Sequence, residues 1–551
     1  MADFRKDIFI VEAGALNHLI TEDEKMFITH LKVSGYLNSK DFDVLDTMCS
    51  SRVDFDDDDN ATIIEEESPE LRILDLGEVL LTDNLSLWEF SYYSRLKKIV
   101  LPKNLESTGD VKVFENSRFL ETVVVPETLK EFGWGTFINC ECLKSINFPD
   151  SLERFGGFSF CGCSSLKNVR IPVNVSEIEC AAFGGCYGLE KFEIDELNPY
   201  FSVVDGVIFN KNKTKLVCFP SGYRSKHYSV PEGVKVIGDG SFLDAQIESI
   251  SFPSTLEKIE GWAFRYCRDL QSLDIPDSVI KIGELAFEFC TSLSQVKLPK
   301  QLTTLKRQTF CGGDSLKEID IPASVKIIED TALGWSHSLE TIHLHDGLEI
   351  LNDLTRCKTL KNIVIPKTVK KIASGIFHLC TSMQEIKIDI ENPYFCSTGN
   401  SLYNKEMTIL IATLPKNEST FIVPDGVELI EEQVFEGFDK LEHIIFPESL
   451  QRIGHRAFEG CLGLTSLRLP KTLTSIDFRA FDDCDNLKAI EIYAEKPPKI
   501  TNRSASCWKF IGDAKNLVLF VPEKSIEKYK KALGWRDIKK ISIIDRSNTP
   551  N

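Results

Sequence analysis

The chain lacks any uninterrupted apolar run near the ~18 residues that a membrane-crossing helix requires, so no membrane insertion by this chain is expected. Positive charge is also short: 64 lysines and arginines stand against 83 aspartates and glutamates, a formal charge of −19. Phosphate contacts need a net basic face, so nucleic acid is not expected as a partner, and the acidic excess is read as serving solubility. Catalytic signatures are missing as well. There is no Gly-rich phosphate loop, no Gly-x-Ser-x-Gly elbow and no His-Glu-x-x-His, and the nine histidines are scattered. These absences predict a non-enzymatic protein with no cofactor. The opening MADFRKDIFIVEAGALNHLI has neither the charged-then-apolar pattern nor the small-residue cleavage site of a secretory signal. Either the protein stays inside the cell or an export signal is missing from this chain.

What is present is a repeat. Prolines that end short apolar runs recur from Pro102 to Pro470, most often every 23 residues, as in the series Pro253, Pro276, Pro299 and Pro322. His345 stands in the one slot without a proline. Such a period over most of the chain means stacked coils that share one core, not a set of separate folds. In the coil from Pro276 to Pro299 the inward positions are Val279, Ile282, Ala286, Phe287, Cys290, Leu293, Val296 and Leu298. The last of these alternate as a half-buried strand should, and proline then stops the ladder because it has no N–H to donate. Ala286 beside Phe287 leaves room for the next coil's ring to stack.

Seventeen cysteines, an odd count, would suggest disulfides in a secreted protein. The repeat accounts for them differently. Cys140, Cys163, Cys186, Cys267, Cys290, Cys380, Cys461 and Cys484 each follow a Phe by three residues, and Ser117, Gly313 and Ser336 fill the same slot elsewhere. Exchange of Cys for Gly and Ser points to a small packing slot and to buried free thiols. The pairs Cys140/Cys142 and Cys161/Cys163 imitate metal half-sites, but no Cys-x-x-Cys partners accompany them, and no metal is expected.

Ile321-Pro322-Ala323-Ser324-Val325-x-x-Ile328 and Ala263-Phe264-x-x-Cys267-x-x-Leu270, with near copies throughout, resemble the BspA-like leucine-rich repeats of bacterial surface proteins and some parasitic protists. The resemblance runs from about Leu71 to the C-terminus. It implies a leucine-rich repeat solenoid, mostly β with short helical and turn segments, closed by an α/β C-terminal cap; a small helical N-terminal cap is read from the residues before it. It further implies a recognition surface for a protein or glycan ligand and adhesion at the cell surface or outside the cell. The alternative is an intracellular, cytoplasmic scaffold for protein–protein interaction, favoured by the thiols and the missing signal.

Residues 1–70 are expected to form the helical N-terminal capping region, with helices over Ala13–Ile20 and Ser39–Met48, Ser39 as N-cap, and an extended Ile28–Val33. Asp54, Asp56–Asp59 and Glu65–Glu67 read as a solvated acidic linker. Residues 71–494 are assigned to the solenoid, with hairpin inserts near 195–225 and 389–418. Both inserts start with Asn-Pro-Tyr-Phe, at Asn198 and at Asn392, and continue as apolar arms around a polar turn. Residues 495–551 are assigned to the C-terminal capping module, with a strand at Leu517–Pro522 and a helix from Ser525 to Leu533. Ser525 is the expected N-cap. Ile526, Tyr529 and Leu533 are expected on the last coil, with Gly534 ending the helix and Trp535 sealing it.

The position two residues before each proline should face solvent, so these residues form a column down the sheet. Its middle is polar, as at Arg170, Ser251, Asp320 and His343. Apolar residues near the ends, Val100, Val124, Val364, Ile422 and Ile445, are the candidate ligand-binding face. Val364, Ile422 and Ile445 are expected near one another. His343 and His345 beside Asp320 and Asp346 are the one arrangement with metal-ligand character, read here as plain exposed strand.

Overall fold

A coil of this chain holds two short strands, each defined by alternation and by the partners its neighbours supply. Val169–Ile171 pairs in parallel with Phe192–Ile194, while Arg154–Phe155 pairs in parallel with Glu131–Phe132 and Glu177–Ile178. The computed structural model describes residues 4–49, 53–55, 61–63, 69–82, 95–414, 419–501, 511 and 517–544. They fall into two units, Met1–Leu293 and Ser294–Asn551. The architecture is a β-solenoid with few helices, as the leucine-rich repeat pattern predicts.

After the second strand the chain turns through two left-handed residues that flank the buried ring. Trp262 (φ 56°) and Tyr266 (φ 62°) bracket Phe264. Bulky residues rarely adopt this region, but here hydrogen bonds to the next coil hold it. The N–H groups of Trp262, Phe264 and Tyr266 donate to the carbonyls of Glu284, Ala286 and Glu288 at 3.0, 2.7 and 2.9 Å. The rings between these corners stack. Phe114, Phe137, Phe160 and Phe183 follow one another at 5.1–5.4 Å, and in the second unit Phe435, Phe458 and Phe481 do so at 4.8 and 5.1 Å. Of the eight inward positions read between Pro276 and Pro299, seven are buried and Val296 is half-buried.

Besides its small size, the cysteine slot offers a carbonyl of the previous coil, which most occupants use and Ser117 does not. Cys140 Sγ donates to Phe114 O at 3.1 Å, Cys163 to Phe137 O at 3.3 Å, and Cys290 to Phe264 O at 3.2 Å. Ser336 makes the same bond to Phe310 O at 3.3 Å, and Cys357, which follows Leu354 and not a Phe, bonds to Leu333 O at 3.3 Å. The slot thus favours a small donor facing the previous coil. All sixteen described cysteines are free thiols; twelve are buried, and Cys142, Cys161, Cys180 and Cys396 are half-buried. Burial pushes Cys484 up to about 12, which leaves it unreactive at neutral pH.

The N-terminal segment contributes strands as well as helices. Arg5–Ile10 and His30–Leu37 pair in parallel, and the second continues through Ile73–Leu81 to Lys98–Val100, Thr122–Val124 and Ser145–Ile146. The helices are Leu16–Leu19, Glu22–Phe27 and Ser39–Cys49. Ser39 starts the third and does not precede it; Lys40 N–H donates to Asn38 Oδ1 at 3.0 Å. Buried Asp41 fixes the corner by accepting from the N–H groups of Gly14, Leu16 and Asn38. Val53–Phe55 and Ala61–Ile63 pair antiparallel; 56–60 and 64–68, most of the acidic linker, lie outside the described residues.

Each insert is a three-stranded meander, one strand more than the two arms read from sequence. In the first, Phe201–Val204, Val207–Asn210 and Lys215–Cys218 run antiparallel, and the last pairs in parallel with Val236–Ile237. The extra strand follows from the two-residue turn at Asp205 (φ 50°) and Gly206 (φ 80°). Phe395–Thr398, Ser401–Asn404 and Ile409–Thr413 repeat the design and join Leu429–Ile430.

At the C-terminus Val518–Val521 lies between Ala489–Ile492 and Lys540–Ile543. The helix is shorter than the periodicity suggests, Ile526–Lys531, preceded by a 3₁₀ turn Glu523–Ser525. Ser525 does not cap it; its hydroxyl donates to Glu495 O at 2.9 Å. Tyr529 and Trp535 are fully buried and donate to Ala494 O and Pro498 O, at 2.9 and 2.8 Å. Leu533 is 41% exposed, because the helix ends before reaching it. Among the described residues no helix is long and apolar enough to cross a membrane.

Candidate functional site

The first strands of successive coils present one outward residue each, and register fixes which of them touch. In the first unit Asp75, Val100 and Val124 are partners in turn, Arg170 faces Glu193, and Ser229 faces Ser251. In the second unit Asp320 faces His343, Val364 faces Lys387, Ile422 faces Ile445, and Arg468 faces Glu491, then Phe520.

The candidate apolar residues separate into three places. Val124 is 42% exposed, while Val100 beside it is half-buried. Ile422 and Ile445 are 64% and 53% exposed and adjacent. Val364, although exposed, does not join them: its strand Asn362–Ile365 pairs with Glu385–Ile388, in a different sheet from Thr420–Ile422. Glu385–Ile388 falls outside the proline spacing because its end reads Ile388-Asp389-Ile390, with no proline, and Phe192–Ile194, which carries Glu193, falls outside it for the same reason.

The middle of the face in the first unit is polar and concave. Asn147, Arg170, Glu193 and Asp195 line a cavity of about 460 Å³, where Arg170 pairs with Asp195 at 2.8 Å. In the second unit His343 pairs with Glu318 and His345 with Asp320, each at 2.6 Å, so the two imidazoles engage separate carboxylates and do not converge. Among the described residues no group of three or more His, Cys, Asp or Glu could hold a metal ion.

Sequence reasoning missed the exposed residues at the start of each insert. Leu197 and Tyr200 in the first, and Ile390 and Tyr394 in the second, project into solvent. The asparagine between them is why the loop holds still. Asn198 is fully buried; its amide donates to Pro172 O and Val175 O, and its oxygen accepts from the N–H groups of Tyr200 and Phe201, all within 3.0 Å. Asn392 makes the same four bonds to Pro366, Val369, Tyr394 and Phe395. A side-chain amide has just this capacity, and the repeated Asn-Pro-Tyr-Phe was the readable signal.

Comparison with known proteins agrees with this architecture. The fold is similar to the crystal structure of a leucine-rich repeat protein from Eubacterium ventriosum, with a TM-score of 0.52, 22% identity, and 61% of this chain and 88% of that chain covered. A leucine-rich repeat protein from Bacteroides ovatus matches at 26% identity and a TM-score of 0.40, over 72% of this chain and 88% of that one. A leucine rich cell surface protein from Faecalibacterium prausnitzii matches at 21% identity and a TM-score of 0.36, over 66% and 79%. No curated protein matches the chain. The family described as BspA type leucine rich repeat region (6 copies) matches residues 84–214, 215–340, 304–420 and 415–529. That family suggests a protein-interaction role, and with most of its length matched the chain belongs to the BspA type leucine-rich repeat family.

Proposed function

We propose that the protein is a non-enzymatic recognition protein that binds another protein or a glycan through the outward face of its first strands, acting in adhesion at the cell surface. The observation that carries this reading is the register pair Ile422 and Ile445, both more than half exposed on a regular strand pair. Exposed, adjacent β-branched residues on a sheet face are a docking feature. Val124 and Val364 extend the apolar content of the face at separate points. Each such side chain contributes ~1.5–2 kcal/mol gross when buried by a partner, much of it offset by association entropy. In this reading residues 1–70 and 495–551 act as caps on the solenoid of 71–494. A second reading, an intracellular scaffold, is favoured by the free thiols of the sixteen described cysteines.

The test replaces Val364, Ile422 and Ile445 together with Lys and screens parent and variant on immobilised extracellular-matrix proteins and glycans. None of the three faces the core, so the melting curve should stay nearly unchanged while capture falls. A variant that captures every ligand of the parent equally well would remove the face from the function. Capture by the parent of cytoplasmic proteins alone would favour the scaffold.

A further inference from the structure

Near the first insert, a cavity of about 550 Å³ is lined both by the end of the three-stranded sheet at Glu177–Ile178 and by the insert strands. This volume lies in the range of small-ligand sites, roughly 300–1,000 Å³. Part of its wall is aromatic. Trp134 is 40% exposed, its ring lies 5.8 Å from that of Phe158, and Phe158 packs on Trp262 at 5.7 Å. The lining also carries Glu177, Glu179 and Asp239. Gly157 keeps the space open: a Cβ there would lie 3.1 Å from Trp134 Cδ1 and 3.5 Å from Glu179 Oε2, so indole and carboxylate border the same volume.

The charge is one-sided. Lys215, the one cation among the described lining residues, is held by Glu260 at 2.7 Å. Arg154, bonded to Glu179, lies within 3.7 Å of four carboxylates, those of Asp110, Glu131, Glu177 and Glu179. Arg154 is thus outnumbered by carboxylates, while Lys215 shares Glu260 with Lys258 and both lysines draw on Asp239, which makes no ion pair within 4 Å among the described residues. The rings have shown their preference as well: Lys112 Nζ sits 5.5 Å from the Trp134 ring centroid, and the Arg265 guanidinium 4.2 Å from that of Trp262.

The fold itself does not demand these residues. The second insert uses the same Asn-Pro-Tyr-Phe scaffold, yet Lys371 stands at the place of Glu177, Ala373 at that of Glu179 and Ile409 at that of Lys215. The coil between His345 and Pro366 is also two residues shorter than the 23-residue norm, which deletes the counterpart of Phe158.

We infer that this cavity receives an arginine side chain of a partner protein. A guanidinium is planar, stacks on an indole face and forks onto a carboxylate through paired N–H donors. A lysine would use the charge without the stacking plane, and a neutral sugar would use the ring without the charge. The site does not depend on the sheet-face reading, since none of its residues belongs to the outward column.

The experiment titrates the full chain with N-acetyl-arginine amide, N-acetyl-lysine amide and methyl glucoside, following tryptophan emission. The arginine probe is expected to bind most tightly and to weaken with salt. Glu177→Gln with Asp239→Asn should weaken it about tenfold, and Trp134→Ala should abolish the emission change. If Trp134→Ala perturbs folding, the near-isosteric acid variant alone decides. The Val364, Ile422 and Ile445 lysine variant should bind the probe as the parent does. Equal binding of arginine and glucoside, undiminished arginine binding by the acid variant, or no binding of any probe would overturn the assignment.

Discussion

The two inserts share a scaffold and differ in what surrounds it. Both are pinned by a buried asparagine that uses all four of its hydrogen-bonding capacities. In the first, Phe219 takes the ring slot and stacks on Phe242 at 4.4 Å, beside the apolar Val207. In the second those places hold Thr413 and Ser401, whose hydroxyls bond at 2.7 Å. No ring then fills the slot, and a cavity of about 70 Å³ remains, bordered by Phe377, Thr413, Val434 and Phe438. His378 and Glu436 also border it, 3.2 Å apart, and burial pushes the imidazole down to about 4. The asparagine thus pins the start of both meanders, whereas the stacking of the core is decided separately by the residue at the end of the third strand, Phe219 or Thr413.

Removing the shared element should produce the largest effect, and the same one twice. Asn198→Ala and Asn392→Ala each orphan two N–H groups and one carbonyl, Val175 O or Val369 O, while Pro172 O and Pro366 O keep a backbone donor; the loss costs on the order of 3–5 kcal/mol. Urea unfolding should show the two losses to be alike; a near-neutral Asn392→Ala would separate the inserts at the element they are held to share.

A smaller effect should follow from exchanging what differs. Phe219→Thr empties a ring slot and should cost about 3–4 kcal/mol. The reciprocal pair, Ser401→Val with Thr413→Phe, should fill the existing cavity and stabilise by about 1 kcal/mol. Should the filled variant unfold more easily than the parent, the cavity is not a missing ring but a shape the second insert requires.

How much of this was legible in the sequence depends on register. The strand–proline punctuation, the ring slot and the cysteine slot repeat at one period, so their stacking could be read directly. Glu193 and Lys387 escape the proline spacing because their strands end without proline, so the spacing sets Val364 beside Ile422 although Lys387 is the register partner of Val364. The left-handed corners at residues such as Trp262 and Leu285 left no signal, since bulky side chains give no hint of positive φ. Leu533 was misplaced because helical spacing continues past the point where the chain leaves the helix at Ala532. The arginine cavity was readable in principle: Trp134, Gly157 and Cys180 follow one another at 23 residues, and Asp239 takes the same position one insert later. A column of that composition draws notice only once the coils are known to stack there.

The claim that recognition belongs to the outward strand face is tested most directly by a side-chain footprint, obtained by hydroxyl-radical labelling with and without a captured ligand. Protection is predicted at Ile422 and Ile445, with Leu533 and other exposed apolar residues off the face labelled as before. Full labelling of Ile422 and Ile445 in the bound state would contradict the account.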